Sequence, residues 1–171
     1  MKPCPIRIAV LALGALYVAT AAAQYPVRPI KFLVPISAGG APDIAARVLG
    51  QKLAESLGQQ IVVENRTGSN GNIAADLVAK SPADGYTLLL AQDSLITVNP
   101  HVYAKMPFDP LVDLVPVASV GSNQYFLSVN PSLPVRNLNE FIEYARRAKP
   151  PLAFASGGNG SLSHLSLEML K

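Results

Sequence analysis

Apolar residues recur at strand-like and helix-like spacings from residue 30 onward. A run at residues 30–34 predicts a strand, and the following apolar residues are spaced one, three and four apart, which predicts an amphipathic helix. The predicted apolar face of that helix consists of Ile44, Val48, Leu49, Leu53 and Leu57. A β-branched run at residues 59–65 predicts a second strand, with Gly58 ending the helix before it. This strand–helix–strand pattern predicts an α/β fold with a parallel sheet.

The pattern continues with a helix predicted at residues 73–80 and a third strand at residues 86–91. That strand is hydrophobic on both faces, as expected inside a parallel sheet covered by helices. Prolines interrupt residues 99–113, which predicts irregular structure with one short helix. Further strands are predicted at residues 114–120, 126–130 and 152–155.

The segment at residues 121–124 is the best place for a crossover between two domains. Beyond it, a helix is predicted over residues 138–148, with Asn137 as its N-cap and Glu140 three positions later as in a capping box. A last helical pattern runs to the end of the chain without a C-cap, so we expect the chain to be truncated.

Two glycine-rich turns, at residues 35–40 and 156–161, each join an apolar strand to a helix. Pro42 suits the first helical position and Asp43 suits the positive end of the helix. The free N–H groups of such a turn would bind an anion, whereas a turn needed for folding alone is the alternative. Neither turn has the spacing of a dinucleotide fingerprint or a P-loop. Because ligands bind at the carboxyl ends of parallel strands, we expect the turns to face each other across a cleft.

The first residues predict a cleavable export signal. A basic start is followed by an apolar run at residues 8–23 that ends in an Ala-x-Ala site, so residues 1–23 form the predicted signal peptide. Cys4, the single cysteine, lies inside it, and we expect a periplasmic protein without disulfides, with an extracellular location as the second choice. Removal of Lys2 and Arg7 lowers 14 basic residues to 12, against 11 acidic ones, so the net charge is about +1 and nucleic acid is not expected as a partner.

An enzyme is the second function class. Ser94 or Ser161 with His164 and Asp93 would supply the groups for acyl transfer, but no Gly-x-Ser-x-Gly elbow is present. With only His101 as a further histidine, no metal site is predicted and no cofactor is expected. His164 is expected to cap or pack within the last helix rather than act as a base.

The motifs of the chain follow those of one known family in order. The chain resembles the extracytoplasmic solute receptors of tripartite tricarboxylate transporters, also called Bug receptors. The resemblance is carried by Tyr25-Pro26-x-Arg28-Pro29-Ile30, Val34-Pro35 with Ala38-Gly39-Gly40, Asp43 with Ala46-Arg47, Val63-Glu64-Asn65-Arg66-x-Gly68, Asp84-Gly85-Tyr86-Thr87-Leu88, Asn99-Pro100, Pro107-Phe108-Asp109-Pro110, Asp113-Leu114-x-Pro116-Val117 and Ala155-Ser156-Gly157-x-Asn159-Gly160-Ser161-x-Ser163-His164.

The resemblance implies a type II periplasmic-binding-protein fold, with two Rossmann-like α/β domains and a ligand cleft between them. Residues 24–120 would then be the N-terminal part of domain 1, and residues 121–171 the truncated start of domain 2. A complete receptor of this kind is a monomer that captures a small carboxylate, an organic acid or amino acid, and delivers it to a membrane permease. A sensor that presents the ligand to a membrane signalling protein uses the same cleft.

The resemblance also implies that backbone amides and bridging waters at strand-end loops hold the ligand carboxylate. The implied ligand-binding residues are Ile36, Ser37, Ala38, Gly39, Gly40, Asn65, Gln92, Asp93, Ser94, Ser156, Gly157, Asn159, Gly160 and Ser161. Family members usually carry Phe or Tyr where Ile36 stands and often Thr or Ser where Pro42 stands. Asp93 also departs from the family, and its carboxylate would repel a dicarboxylate or pair with a ligand amine. Asn65 is expected mainly to satisfy loop backbone, and Arg47 to pair with Asp43 or Asp76.

Overall fold

A computed structural model describes residues 25–171, so the signal peptide predicted at residues 1–23 lies outside the described residues. The elements are β1 (Ile30–Val34), α1 (Ala41–Leu57), β2 (Ile61–Asn65), a short 3₁₀ helix (Ser69–Gly71), α2 (Asn72–Ala79), β3 (Thr87–Leu89), α3 (Asp93–Thr97), α4 (Asn99–Val102), α5 (Leu138–Arg147) and α6 (Leu162–Leu170). Over this part of the chain, every helix is too short or too polar to cross a membrane.

The three strands form one parallel sheet in the order β2-β1-β3, as the strand–helix–strand pattern predicted. Ile30 lies opposite Ile61 on β2, and Lys31 lies opposite Thr87 on β3. The chain adds β2 on one side of β1 and then crosses to add β3 on the other side. The order of strands therefore reverses beside β1, which is the point where open α/β sheets bind ligands.

Helices cover both faces of this sheet, and side chains alternate between the two faces along each strand. Phe32 and Val34 point to one face and pack with Ala46 of α1 in a buried cluster. On the other face, Ala75 of α2 packs with Leu95 and other apolar residues, including Leu89 of β3. Burial on both faces explains why β1 consists of apolar residues at four of its five positions.

Helix α1 begins and ends where the sequence indicates, but its buried face differs from the predicted one. Ala46 and Gly50 are buried against the sheet, whereas Ile44 and Val48 are 56% and 61% exposed. A Cβ added at Gly50 would lie 3.3 Å from Ile61 Cγ2, so a small residue lets α1 approach β2 closely. The apolar period predicted the helix, but small residues decide which side of it contacts the sheet.

Other elements differ from prediction in extent. Strand β3 covers Thr87–Leu89 rather than residues 86–91. The single short helix expected within residues 99–113 is α4, whereas α3, in the loop after β3, was not predicted. Pro42 occupies the second helical position of α1, not the first. Helix α5 was predicted correctly: Asn137 Oδ1 accepts a hydrogen bond from Glu140 N at 3.0 Å, and the Glu140 carboxylate accepts one from the backbone of Arg136.

The strands predicted at residues 114–120, 126–130 and 152–155 are wrong for the part of the chain that the structure describes. These segments are extended but pair with no described strand. Most of their side chains are exposed, with Val115 at 85% and Phe126 at 84%, whereas Leu114 is partly buried. The apolar composition is typical of buried strands, yet a strand forms only where a neighbouring backbone supplies hydrogen-bond partners.

A buried carboxylate ties together the ends of β1 and β2 and the start of α1. Asp43, 2% exposed, accepts hydrogen bonds at Oδ2 from Gly39 N (2.8 Å) and Arg47 Nε (3.0 Å). Its Oδ1 accepts one from Asn65 Nδ2 at 2.9 Å, and the same amide group donates to the carbonyl oxygen of Ile36 at 3.0 Å. The first glycine turn is therefore fixed to both strands by side chains.

This network confirms that Arg47 is a structural partner, and it selects Asp43 rather than Asp76. The Arg47 hydrogen bond, followed by those of Gly39 N–H and Asn65, lowers the pKa of the Asp43 carboxyl from 3.8 to about 2, against the opposing effect of burial. Because all of these donors favour the charged form, Asp43 stabilises the fold as a carboxylate. Asn65 also satisfies loop backbone, as predicted.

We expect Asp43 to make stability fall in acid. A group whose folded-state pKa is lowered contributes its full stabilisation above its ordinary pKa, and loses it as the pH falls through the folded-state value. For Asp43 this interval runs from about pH 4 down to about pH 2. In urea unfolding, Asp43→Asn should be clearly less stable than wild type at pH 7, and the difference should shrink across this interval.

Glu55→Gln is the matched control, because Glu55 lies on the same helix in an exposed pair with Lys52. Exposed pairs of this kind contribute about 0–1 kcal/mol, so its unfolding free energy should stay near that of wild type. A deficit of Asp43→Asn that stays constant from pH 7 to pH 2 would contradict the role assigned to the carboxylate.

Candidate functional site

The loops that follow β1, β2 and β3 emerge at the same edge of the sheet, because parallel strands have their carboxyl ends together. These loops comprise residues 35–40, 66–71 and 90–92. Pro35 in the first loop lies against Gly71 in the second, where an added Cβ would be 3.2 Å from Pro35 Cβ. A small molecule at this edge would contact all three loops at the point where the strand order reverses.

The first loop presents backbone N–H groups to solvent. Residues 37–39 are exposed, and Gly39 adopts φ +85°, a left-handed conformation that glycine tolerates best. The N–H of Gly39 is already bonded to Asp43, and that of Gly40 lies 3.4 Å from Ser37 O. Among the described residues, no acceptor faces the N–H groups of Ser37 and Ala38. Both donors are available for an anion.

Ile36 and Asn65, both predicted to contact the ligand, have structural roles in this loop. Ile36 packs against the cluster of Phe32 and Val34, and its Cδ1 lies 2.6 Å from where a Cβ of Gly40 would be. Asn65 uses its amide group for Ile36 and Asp43, and its Oδ1 accepts from Arg47 Nη2 at 3.1 Å. A direct ligand contact by either residue stays a prediction.

Three asparagines form a polar cluster that the sequence did not reveal. Asn99, fully buried at 0% exposure, donates from Nδ2 to Asn70 O at 3.1 Å and to Asn72 Oδ1 at 2.7 Å. Its Oδ1 accepts from Asn70 Nδ2 at 2.8 Å, so every polar atom of its side chain is bonded. Asn70 has φ 50° and ψ 40°. An asparagine between glycines indicates such a left-handed turn, but its pairing with Asn99 depends on the fold.

The loop after β3 brings Gln92, Asp93 and Ser94 to the same edge. Ser94 is buried, with Oγ 3.4 Å from Asn70 Nδ2, so it joins the asparagine cluster. Asp93 is exposed at the start of α3, and its Oδ1 accepts from Ser94 N at 2.9 Å. Among the ion pairs of residues 25–171, none includes Asp93. The site edge thus carries one carboxylate without a cationic partner in the described chain.

The second glycine turn is held by side chains of the helix that follows it. Ser161 Oγ accepts from His164 N at 3.2 Å, and Gly160 N donates to His164 Nδ1 at 3.4 Å. Gly157 N donates to Ser163 Oγ at 3.0 Å. Ser161 is therefore the N-cap of the last helix, and the His164 side chain bonds to the turn before it, in keeping with the expectation that His164 caps or packs there rather than acts as a base.

The second turn lies against the asparagine cluster. An added Cβ at Gly160 would be 3.6 Å from Asn99 Oδ1 and 3.7 Å from Asn70 Nδ2, and Tyr103 Oη donates to Asn159 O at 3.2 Å. The turn that carries the predicted Ser156, Gly157, Asn159, Gly160 and Ser161 is therefore beside the strand ends. That it faces the first turn across a ligand stays a prediction.

The side chain of His164 is not arranged as a base for Ser161. Its Nδ1 faces the N–H of Gly160, and its Nε2 lies 3.8 Å from Glu168 Oε1. Lys171 chiefly, with a smaller effect of His164, lowers the pKa of the Glu168 carboxyl. In residues 25–171 no three potential metal-ligating side chains are grouped.

The chain is similar to receptors of one transporter class over most of its length. The family model described as "Tripartite tricarboxylate transporter family receptor" matches residues 45–171. Protein BugT of Bordetella pertussis is 41% identical over 169 residues, which cover 94% of this chain and 52% of BugT. The chain spans about half the length of the curated relatives it matches.

Solved structures give the same result at the level of the fold. Rpa4515 of R. palustris with adipate has a TM-score of 0.80 and 40% identity, covering 85% of this chain and 48% of Rpa4515. MatC from Rhodopseudomonas palustris with bound malate has a TM-score of 0.73 and 31% identity, covering 85% of this chain and 50% of MatC. The predicted fold class, of the periplasmic-binding-protein type, is confirmed for the part of it that this chain contains. The family model matches residues 45–171, and proteins named Bug are among the similar sequences and solved structures. The chain therefore belongs to the tripartite tricarboxylate transporter receptor family, which includes the Bug proteins.

Proposed function

We propose that this chain forms the first part of a periplasmic receptor that binds a small carboxylate reversibly, by closure of a cleft. The observation that carries the proposal is the meeting of three strand-end loops where the strand order reverses, with unpaired N–H groups in the first loop. In this proposal residues 24–120 supply the N-terminal part of domain 1, and residues 121–171 begin domain 2. The family is one of receptors, which agrees with the expectation that the protein is not an enzyme.

The chemistry of the first loop favours a carboxylate over a cation. Two adjacent N–H groups, of Ser37 and Ala38, can each donate to one carboxylate oxygen, and the N-terminus of α1 adds positive partial charge. Asp43 does not compete for these donors, because its oxygens already accept from Gly39, Arg47 and Asn65. The ion pair with Arg47 balances its negative charge. The relatives Rpa4515 and MatC, solved with adipate and malate, agree with a carboxylate ligand.

The receptor acts by shifting between open and closed forms, without chemical change of the ligand. A ligand held by turns from both domains binds the closed form better and therefore raises its population. The signal peptide directs the protein to the periplasm, where it works as a monomer. The permease subunits of a tripartite tricarboxylate transporter accept the ligand, in keeping with the name of the family.

A carboxylate panel tests this function directly. The full-length gene product, with its leader removed, is heated with mono-, di- and tricarboxylates, amino acids and aromatic acids in turn. A ligand present at 100 times its Kd stabilises the folded state by about 2.7 kcal/mol, so one chemical class should raise the Tm by several degrees. A Tm unchanged by every member of the panel would count against the proposed function.

A pair of glycine substitutions tests the first loop as the anion site. Gly39 and Gly58 both have positive φ, +85° and +66°, and a Cβ at either would meet no atom within 4 Å. Replacement by leucine should therefore cost both variants a similar amount of stability, about 1–2 kcal/mol. Only Gly39→Leu should weaken ligand binding, by about tenfold or more in calorimetry, because its side chain would cover the N–H groups. Equal affinity of the two variants would move the site elsewhere.

Asp93 is expected to set the preferred ligand charge. Asp93→Asn removes a carboxylate from the site edge, and it should raise affinity for di- and tricarboxylates relative to amino acids. Glu143→Gln on α5 removes one negative charge from an exposed surface position and should leave the profile unchanged. An identical ligand profile for wild type and Asp93→Asn, measured by competition binding, would exclude Asp93 from the cleft.

A further inference from the structure

Beyond residue 110, burial is concentrated at one point. In residues 111–171, the buried residues are Gly160 and Ser161. Residues 115–132 are exposed throughout, and α5 contains no buried residue. Besides Leu114, which packs against the cluster of Leu95 and Phe108, the contact between this second part of the chain and the sheet with its loops is centred on the turn at residues 156–161.

The surface that receives this turn consists of Asn70, Asn99, Val102 and Tyr103, which we call the Gly160 seat. A Cβ added at Gly160 would be 3.5 Å from Val102 Cγ1 and would also touch the two asparagine side chains. Gly160 has φ +81°, so glycine is required there by backbone conformation rather than by space. The hydroxyl of Tyr103 donates to Asn159 O at 3.2 Å, next to that contact.

The Gly160 seat is held rigidly against the sheet and the helices that pack on it. Asn99 is completely buried and bonded at each polar atom, to both Asn70 and Asn72. Asn72 begins α2, and the nearby Gly71 lies against Leu95 and Pro35 of the core. A satisfied buried network of this kind holds its members in one arrangement, so the seat moves with the sheet.

We propose that the Gly160 seat fixes the position of the second glycine turn over the strand ends when the cleft closes on its ligand, with Tyr103 as a positioning residue. This inference rests on the proposed function, since it assigns the turn to domain 2 and the seat to domain 1. Tyr103 contacts the turn by its hydroxyl and lies outside the loops that hold the ligand. In this proposal the hydrogen bond from Tyr103 to Asn159 O belongs to the closed form, so its loss should speed opening.

Tyr103→Phe removes the hydroxyl and keeps the ring. The hydrogen bond is partly exposed, so its loss should make release of the best ligand of the carboxylate panel about threefold to tenfold faster in stopped-flow measurements on the full-length gene product. The Tm without ligand should stay near that of wild type. Tyr144→Phe is the matched control, because the Tyr144 hydroxyl has no hydrogen bond within the described residues, and it should leave both quantities unchanged.

A distance measurement tests the inference with whichever member of the carboxylate panel binds. Residues 24–171 contain no cysteine. With every cysteine beyond residue 171 replaced by serine, Lys105→Cys beside the seat and Met169→Cys on α6 can carry a pair of spin labels. Both positions are exposed, with Met169 at 88%. Added ligand should narrow the distance distribution to a short component in the wild-type background, and Tyr103→Phe should reduce that component.

The outcomes separate the two proposals. If Tyr103→Phe released its ligand at the wild-type rate and had the wild-type distance distribution, the role of the seat would be overturned, while carboxylate binding would stand. An equal loss of Tm with and without ligand would place the contact in both forms and would equally overturn it. If wild type bound no carboxylate, the proposed function would fail. The role of the seat in closure would fail with it, because that role rests on the proposed function.

Discussion

The buried carboxylate of Asp43 is the interaction on which the candidate site depends. It accepts hydrogen bonds from the turn after β1, from Arg47 on its own helix and from Asn65 at the end of β2. Each of these groups belongs to a different part of the chain, and one carboxylate aligns all of them. Because the donors are satisfied by Asp43, the turn has a defined shape before a ligand arrives, and less conformational entropy is lost on binding.

The asparagine cluster performs the same task at the other side of the strand ends. Asn99 fixes the left-handed turn at Asn70, and Ser94 completes the polar surface beneath the second glycine turn. Both devices use buried polar side chains whose hydrogen bonds are satisfied, which favours one arrangement over others. The candidate site is thus built from backbone turns, and the side chains that shape it are hydrogen-bonded within the protein.

In the proposed receptor, the Asp43 network and the asparagine cluster have a common role. A receptor that closes on its ligand needs one rigid wall and one movable wall, and the chain contains a compact sheet with its loops followed by a largely exposed second part. Apolar side chains are exposed at residues 115–127 and on the outer face of α1. The chain spans about half the length of its curated relatives. The Gly160 seat is one point at which the two parts meet, and the packing of Leu114 is another.

The sequence by itself determined the local elements and the family. The period of apolar residues predicted β1, α1 and β2, and Asn137 with Glu140 marked the start of α5, because these signals depend on near neighbours. Tertiary structure alone decided that Gly50 rather than Val48 faces the sheet and that Asn99 bonds to Asn70. It also decided that the apolar run at residues 114–120 forms no strand in the described chain, since pairing and burial depend on segments distant in sequence.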